Sequence, residues 1–110
     1  MVEKVRAFAA SYKTILLVLD SNHSHEHVLE ELRLYTQLVT TGSYCVVFDT
    51  CIEDMPLRLF PDRPWDKGNN PKTGVWEFLK ENSDFEIDKS IQNKQLITVA
   101  PDGYLKRKTI

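Results

Sequence analysis

Glycine is scarce in this 110-residue sequence, and its four copies, Gly42, Gly68, Gly74 and Gly103, stand apart from one another. A nucleotide-type cofactor needs a glycine-rich turn after a first strand, so that backbone N–H groups can approach it closely. The chain has no such turn, no phosphate-binding loop and no serine-elbow pattern, so it cannot hold a nucleotide cofactor alone in the usual way. Cysteine is equally sparse. Cys45 and Cys51 are the two copies, and a reduced cytosolic pair is the default for them. No apolar run approaches the length that spans a bilayer. The segment Met1-Val2-Glu3-Lys4-Val5-Arg6 lacks a signal peptide's apolar core and cleavage site. A cytoplasmic protein without a membrane partner is therefore expected. Excess basic charge is missing too. The net charge is -2, and the Lys106-Arg107-Lys108 run reads as a solvated end, so nucleic acid is not an expected partner.

What remains is an ordinary globular composition, 42% apolar and 27% charged, enough for one domain with a modest core. Residues 2–10 fit a short helix with Val2, Val5, Phe8 and Ala9 on one face. Ile15-Leu16-Leu17-Val18-Leu19 is a continuous apolar run stopping at Asp20, the pattern of a strand covered on both faces. Ser21, Asn22 and Ser24 follow, all helix-capping types. Val28, Leu32, Tyr35 and Val39 then recur at helical spacing, with Leu29 and Leu38 widening the stripe. Thr41-Gly42 breaks this helix, and Tyr44-Cys45-Val46-Val47-Phe48 forms a second buried-type strand ending at Asp49. Strand, helix, strand over 14–49 is the βαβ unit of a parallel sheet. A long connection over 51–70 contains Pro56, Pro61, Pro64, Gly68, Asn69 and Asn70. Connections of this length usually cover a site. Asn70-Pro71 starts a helix running to about Asn82 that buries Val75, Phe78 and Leu79, with Trp76 on its apolar side. Phe85-Glu86-Ile87-Asp88 and Gln95-Leu96-Ile97-Thr98-Val99 read as two strands pairing antiparallel, the second ended by Pro101-Asp102-Gly103.

Ligands of open α/β sheets bind outside the carboxyl ends of the strands. Both parallel strands end in an aspartate, Asp20 and Asp49, and neighbouring strands lie roughly 4.8 Å apart, so the two carboxylates could share one hard cation. The plain alternative is that they cap the segments that follow. His23 stands just past the strand end, placed to touch a substrate or act as a base near neutral pH, unless it simply faces water. His23, His25 and His27 with Glu26 also raise a zinc site, but the metalloprotease pattern puts Glu directly after the first His, where Ser24 stands here. Trp65 either lines a pocket or anchors the long loop.

Several stretches, in order, resemble the cephalosporin hydroxylase family. They are Val18-Leu19-Asp20-Ser21-Asn22-His23-Ser24-His25-Glu26-His27-Val28, Gly42-Ser43-Tyr44-Cys45-Val46-Val47-Phe48-Asp49-Thr50, Asn69-Asn70-Pro71-Lys72-Thr73 with Val75-Trp76-Glu77-Phe78-Leu79, Phe85-Glu86-Ile87-Asp88, and Val99-Ala100-Pro101-Asp102-Gly103-Tyr104. The resemblance covers nearly the whole chain. It implies a class I methyltransferase that uses S-adenosylmethionine and magnesium, of a type associated with cephamycin biosynthesis and with O-methylation of sugars such as rhamnosyl groups. By it, Asp20 and Asp49 match two magnesium carboxylates, and Asp20 with Ser21 borders the cofactor. His23 is the catalytic residue, and Asn22, His23, Trp65, Asn69 and Asn70 face a hydroxyl acceptor such as a sugar. The family's third acidic ligand often precedes the second aspartate. That position is Phe48 here, with Glu53 or Asp54 as replacements from the loop.

The resemblance also implies a seven-stranded sheet of which residues 1–110 supply the last four strands, the C-terminal half of a methyltransferase-like α/β domain. The expected fold is thus a partial Rossmann-like sheet, two parallel strands plus a C-terminal antiparallel pair with flanking helices. The expected function is magnesium-assisted O-methyl transfer, truncated and inactive alone. The alternative is a non-catalytic truncated homologue that associates with itself or with a partner, because the strand at 14–19 would be an open sheet edge.

Overall fold

The computed structural model describes residues 2–20, 23–56, 65–95 and 98–108. The elements run α1 (Val2–Ala9), β1 (Leu17–Leu19), α2 (His25–Tyr35), β2 (Tyr44–Val47), α3 (Pro71–Glu81), β3 (Phe85–Ile87), α4 (Lys89–Gln95) and β4 (Tyr104–Arg107), with 3-10 turns at Thr36–Leu38 and Thr50–Asp54. The four strands form one mixed sheet in the order β1-β2-β4-β3. β1 lies parallel to β2 with Leu19 opposite Val47, and β4 is antiparallel to both β2 and β3. The α/β class, the parallel pair and the C-terminal antiparallel pair all match the expectation.

The βαβ unit forms because one face of α2 is apolar at helical spacing. Val28, Leu29 and Leu32 are buried and meet Leu19, Cys45 and Val47 of the sheet in one cluster. Each such side chain contributes about 1.5–3 kcal/mol when fully removed from water. Ser24 caps the helix, its side chain accepting from the His27 N–H. The last expected turn tightens into 3-10 geometry before Val39, which is fully buried. α3 then packs on α2. Gly74 makes that approach possible, since a Cβ there would stand 3.2 Å from the His25 carbonyl oxygen and 3.3 Å from the Val28 side chain. Asn70 caps α3 through the Lys72 and Thr73 N–H groups, and Thr73 returns a bond to the Asn70 N–H. Phe78 meets Phe85 of β3 at 5.9 Å between ring centroids, closing the far side of the core.

The second strand of the C-terminal pair is not the one expected. Residues 89–95 are helical, Leu96 and Ile97 lie outside the described residues, and Thr98 to Ala100 form no strand. The partner of β3 is Tyr104–Arg107. Asp88 explains the helix: its carboxylate accepts from the Ser90 N–H and hydroxyl, an N-terminal cap with no counterpart in the apolar pattern. Pro101-Asp102-Gly103 therefore leads into a strand rather than ending one. The turn has Asp102 at φ 58 and closes through a bond from the Gly103 N–H to the Ala100 carbonyl.

Three further expectations change. The Lys106-Arg107-Lys108 run is not a free solvated end, because Arg107 donates to the carbonyls of Val39 and Gln37 and its own carbonyl accepts from Gly42. Trp76 leaves the apolar side of α3. It is exposed, with the Lys72 ammonium 5.5 Å above its ring. The run at 15–19 is covered on one face only. Leu19 is buried while Leu16 and Val18 are exposed, as are Phe8 and Tyr12 nearby. Cys45, buried, and Cys51, partly exposed, are both free thiols.

Candidate functional site

Parallel pairing of Leu19 with Val47 brings the carboxyl ends of β1 and β2 side by side, and the Phe48 N–H extends that ladder to the Leu19 carbonyl. Asp20 leaves the end of the first strand. Asp49 follows Phe48 in the left-handed region, at φ 60 and ψ 24. A non-glycine residue held there costs on the order of 1 kcal/mol or more. Here the flanking bonds impose it: Thr50 donates to the Pro101 carbonyl at 2.6 Å, and Cys51 donates through its N–H to Val99. The result turns the Asp49 carboxylate back toward β1.

His23 meets it there. Its Nε2 lies 2.8 Å from Asp49 Oδ2, with both side chains 30% exposed. Asp20, His23 and Asp49 each place one ligand atom within 4.8 Å of the others, and this is the one such group of three among the described residues. The Trp65 ring stands edge-on to the His23 ring, 4.6 Å between centroids and 68° between planes. Trp65 thus packs its ring against the imidazole of His23. Ser21 and Asn22, expected beside the cofactor and the acceptor, lie outside the described residues.

The other candidates are bound elsewhere. Asn69 accepts from the His25 N–H at 2.8 Å, tying the loop to the first turn of α2. Asn70 has no exposed surface, and its amide donates to Glu53 and to the Asp66 carbonyl. Its side chain is engaged as the cap of α3. His25 is held by Thr73 and Glu77, and His27 pairs with Glu31 one helical turn on, at 3.4 Å. The zinc arrangement built on His23 and His27 is thus absent from the one donor group of the described residues. Glu53 and Asp54 do not join the aspartates either: Glu53 accepts from Gly68 and Asn70, while Asp54 binds the nearly buried Lys72.

The part played by Glu53 was not visible in the sequence. It joins the turn after Asp49 to the loop bearing Trp65, and only the tertiary path puts these segments together. The Lys72 ammonium likewise ties α3 to Asp54 and lies 4.0 Å from Asp102.

Two carboxylates and an imidazole at the carboxyl ends of parallel strands form an arrangement able to hold a divalent cation or to move a proton. Similarity to known proteins narrows the choice. A family model described as rhamnosyl O-methyltransferase/CmcI matches residues 1–108. A rhamnosyl O-methyltransferase of Mycobacterium leprae is 32% identical over 111 residues, covering 98% of this chain and 45% of the relative. Its counterpart in Mycobacterium tuberculosis strain H37Rv is 35% identical over 94 residues, covering 84% of this chain and 36% of the relative. The chain therefore spans less than half the length of these curated relatives. No solved structure matches it significantly. Among the described residues no helix is long and apolar enough to cross a membrane. With the match running through both aspartates, His23 and the capped start of α3, the chain belongs to the rhamnosyl O-methyltransferase/CmcI family.

Proposed function

We propose that this chain carries the cation and acceptor side of an S-adenosylmethionine-dependent O-methyltransferase acting on a sugar hydroxyl. The observation that supports it most directly is the convergence of Asp20, His23 and Asp49 at the ends of two parallel strands, in a chain whose relatives are named for rhamnosyl O-methylation. Asp20 and Asp49 would hold magnesium, the ion expected of this family. When bound there, the ion supplies Lewis acidity that favours the alkoxide form of an acceptor hydroxyl.

The chain's own residues do the rest. The two carboxylates fix the place where a hydroxyl oxygen is held in line with a methyl group, and alignment of that kind lowers the entropic part of the barrier. Trp65 offers an aromatic wall against which a sugar ring can lie. His23, fixed through Nε2 on Asp49, borders the acceptor side. The chain has no glycine-rich turn, so the donor's nucleotide part requires residues beyond these, consistent with relatives more than twice as long.

A calorimetric titration with S-adenosylhomocysteine, with and without magnesium, tests the proposal. Binding that needs magnesium and disappears in Asp49→Asn supports a cofactor site completed by this chain. No heat in either condition favours a second reading, a non-catalytic module that pairs with a second copy or another half through β1. The exposed Leu16, Val18, Phe8 and Tyr12 beside that strand motivate it. A sedimentation experiment showing a monomer at all concentrations would remove self-association.

A further inference from the structure

The three donors that meet at the strand ends are of two chemical kinds, and this mixture bears on which ion the site takes. Asp20 and Asp49 offer carboxylate oxygens, and His23 offers an imidazole nitrogen. Nε2 of His23 and Oδ2 of Asp49 stand 2.8 Å apart. An ion with bonds of about 2.1 Å holds adjacent donors roughly 3 Å apart, so the observed spacing is already that of two neighbouring ligands. A neutral imidazole with its proton on Nδ1 presents the Nε2 lone pair, and in that tautomer the ion replaces the bridging hydrogen bond to Asp49.

The surroundings support the same choice. Trp65 sits edge-on against the ring, which limits its reorientation. The acidic groups nearest in sequence to Asp49, Glu53 and Asp54, are engaged with the α3 cap and with Lys72. The residue before Asp49 is Phe48, whose side chain offers no donor.

We infer that His23 is the third protein ligand of the cation site, and that the imidazole turns the preference from magnesium toward a first-row transition divalent ion such as manganese. The inference rests on the reading of Asp20 and Asp49 as cation ligands. It makes His23 a ligand rather than the proton acceptor, since one lone pair cannot serve both. Magnesium prefers all-oxygen shells and keeps several waters, whereas a nitrogen donor raises affinity for manganese, cobalt and zinc relative to it.

Manganese is the probe, added to the purified 110-residue chain. Free manganese is counted by electron paramagnetic resonance, magnesium affinity comes from competition, and nitrogen ligation is read from pulsed-resonance modulation by 14N. The expected result is manganese binding about tenfold or more tighter than magnesium, with 14N modulation that disappears in His23→Asn. His23→Asp should keep a site but narrow the manganese-to-magnesium ratio, a change that mere misfolding cannot produce. Binding that is lost in Asp49→Asn but unchanged when His23 is replaced, with no 14N modulation in the unmodified chain, would overturn the inference while leaving the cation reading intact. No binding of either ion to the unmodified chain would overturn both.

Discussion

Replacing Gly103 by alanine should damage this fold more than its size suggests. A Cβ at that position would lie 2.2 Å from the Val47 carbonyl oxygen, 3.1 Å from the Ala100 carbonyl oxygen and 3.2 Å from the Ala100 Cβ. The nearest of these atoms is backbone in the middle of the sheet and has no rotamer to change. Restoring an ordinary contact moves β4 away from β2 by close to an ångström. That movement stretches the bond from the Val47 N–H to the Gly103 carbonyl, now 2.8 Å. Overpacking of this kind costs about 1–3 kcal/mol, and loss of a buried backbone bond adds about 1 kcal/mol, so roughly 2–4 kcal/mol is expected. At about 4 °C per kcal/mol for a chain of this size, the melting temperature should fall by about 8–16 °C. Gly68→Ala is the matched control. No atom lies within 4 Å of its Cβ position, but its φ is +88, so its cost is backbone strain of about 1 kcal/mol. Circular-dichroism melts of both variants decide the matter. A Gly103→Ala melt within about 2 °C of the unmodified chain would refute the close approach of β4 to β2.

Asn70→Ala removes the α3 cap and leaves Glu53 short of a partner, so the urea midpoint should drop by the equivalent of about 2 kcal/mol or more. The Asp88 carboxyl, hydrogen-bonded first by Ser90 and then by Tyr44, is held down at about 2, below its ordinary 3.8. A lowered folded-state value means stabilisation that is present above the unfolded value and lost as pH falls from about 4 toward 2. Asp88→Asn should therefore show a weaker loss of melting temperature than the unmodified chain in that window. Burial pushes the Cys45 thiol up to about 12, and it has no exposed surface. A thiol reagent at neutral pH should label the partly exposed Cys51 and reach Cys45 only on unfolding.

The βαβ half of the fold was open to reading because local pattern and tertiary role agree there. Two apolar runs, each ended by an aspartate, flank a stripe whose Val28, Leu32 and Val39 are all buried. The C-terminal half was harder because its strongest local signal points the wrong way. Gln95 to Val99 carries Leu96, Ile97, Thr98 and Val99, three of them β-branched, whereas the real strand, Tyr104-Leu105-Lys106-Arg107, ends in two cations. Those cations are tolerated because the strand carries its apolar side chains at Tyr104 and Leu105, both buried, and Arg107 reaches carbonyl groups at the end of the Thr36–Leu38 turn. Nothing local announces that β4 will lie between β2 and β3.

The candidate site divides along the same line. Asp20 and Asp49 could be placed together from topology alone, since parallel strands must present their carboxyl ends on one edge. The direction of each side chain could not. Asp49 faces β1 only because the backbone turns through φ 60, a conformation held by Thr50 and Cys51 bonding to Pro101 and Val99, roughly fifty residues away. His23 faces Asp49 rather than water, with Trp65 against it from a loop secured by Glu53 bonding to Gly68 and Asn70. A sequence motif can nominate donors of the right type, but the set that meets at one point is chosen by such distant supports. Here they remove Glu53 and Asp54 from the aspartates and bring in an imidazole, so the donor chemistry of the site follows from the loop and the β4 turn as much as from the two strands that carry its carboxylates.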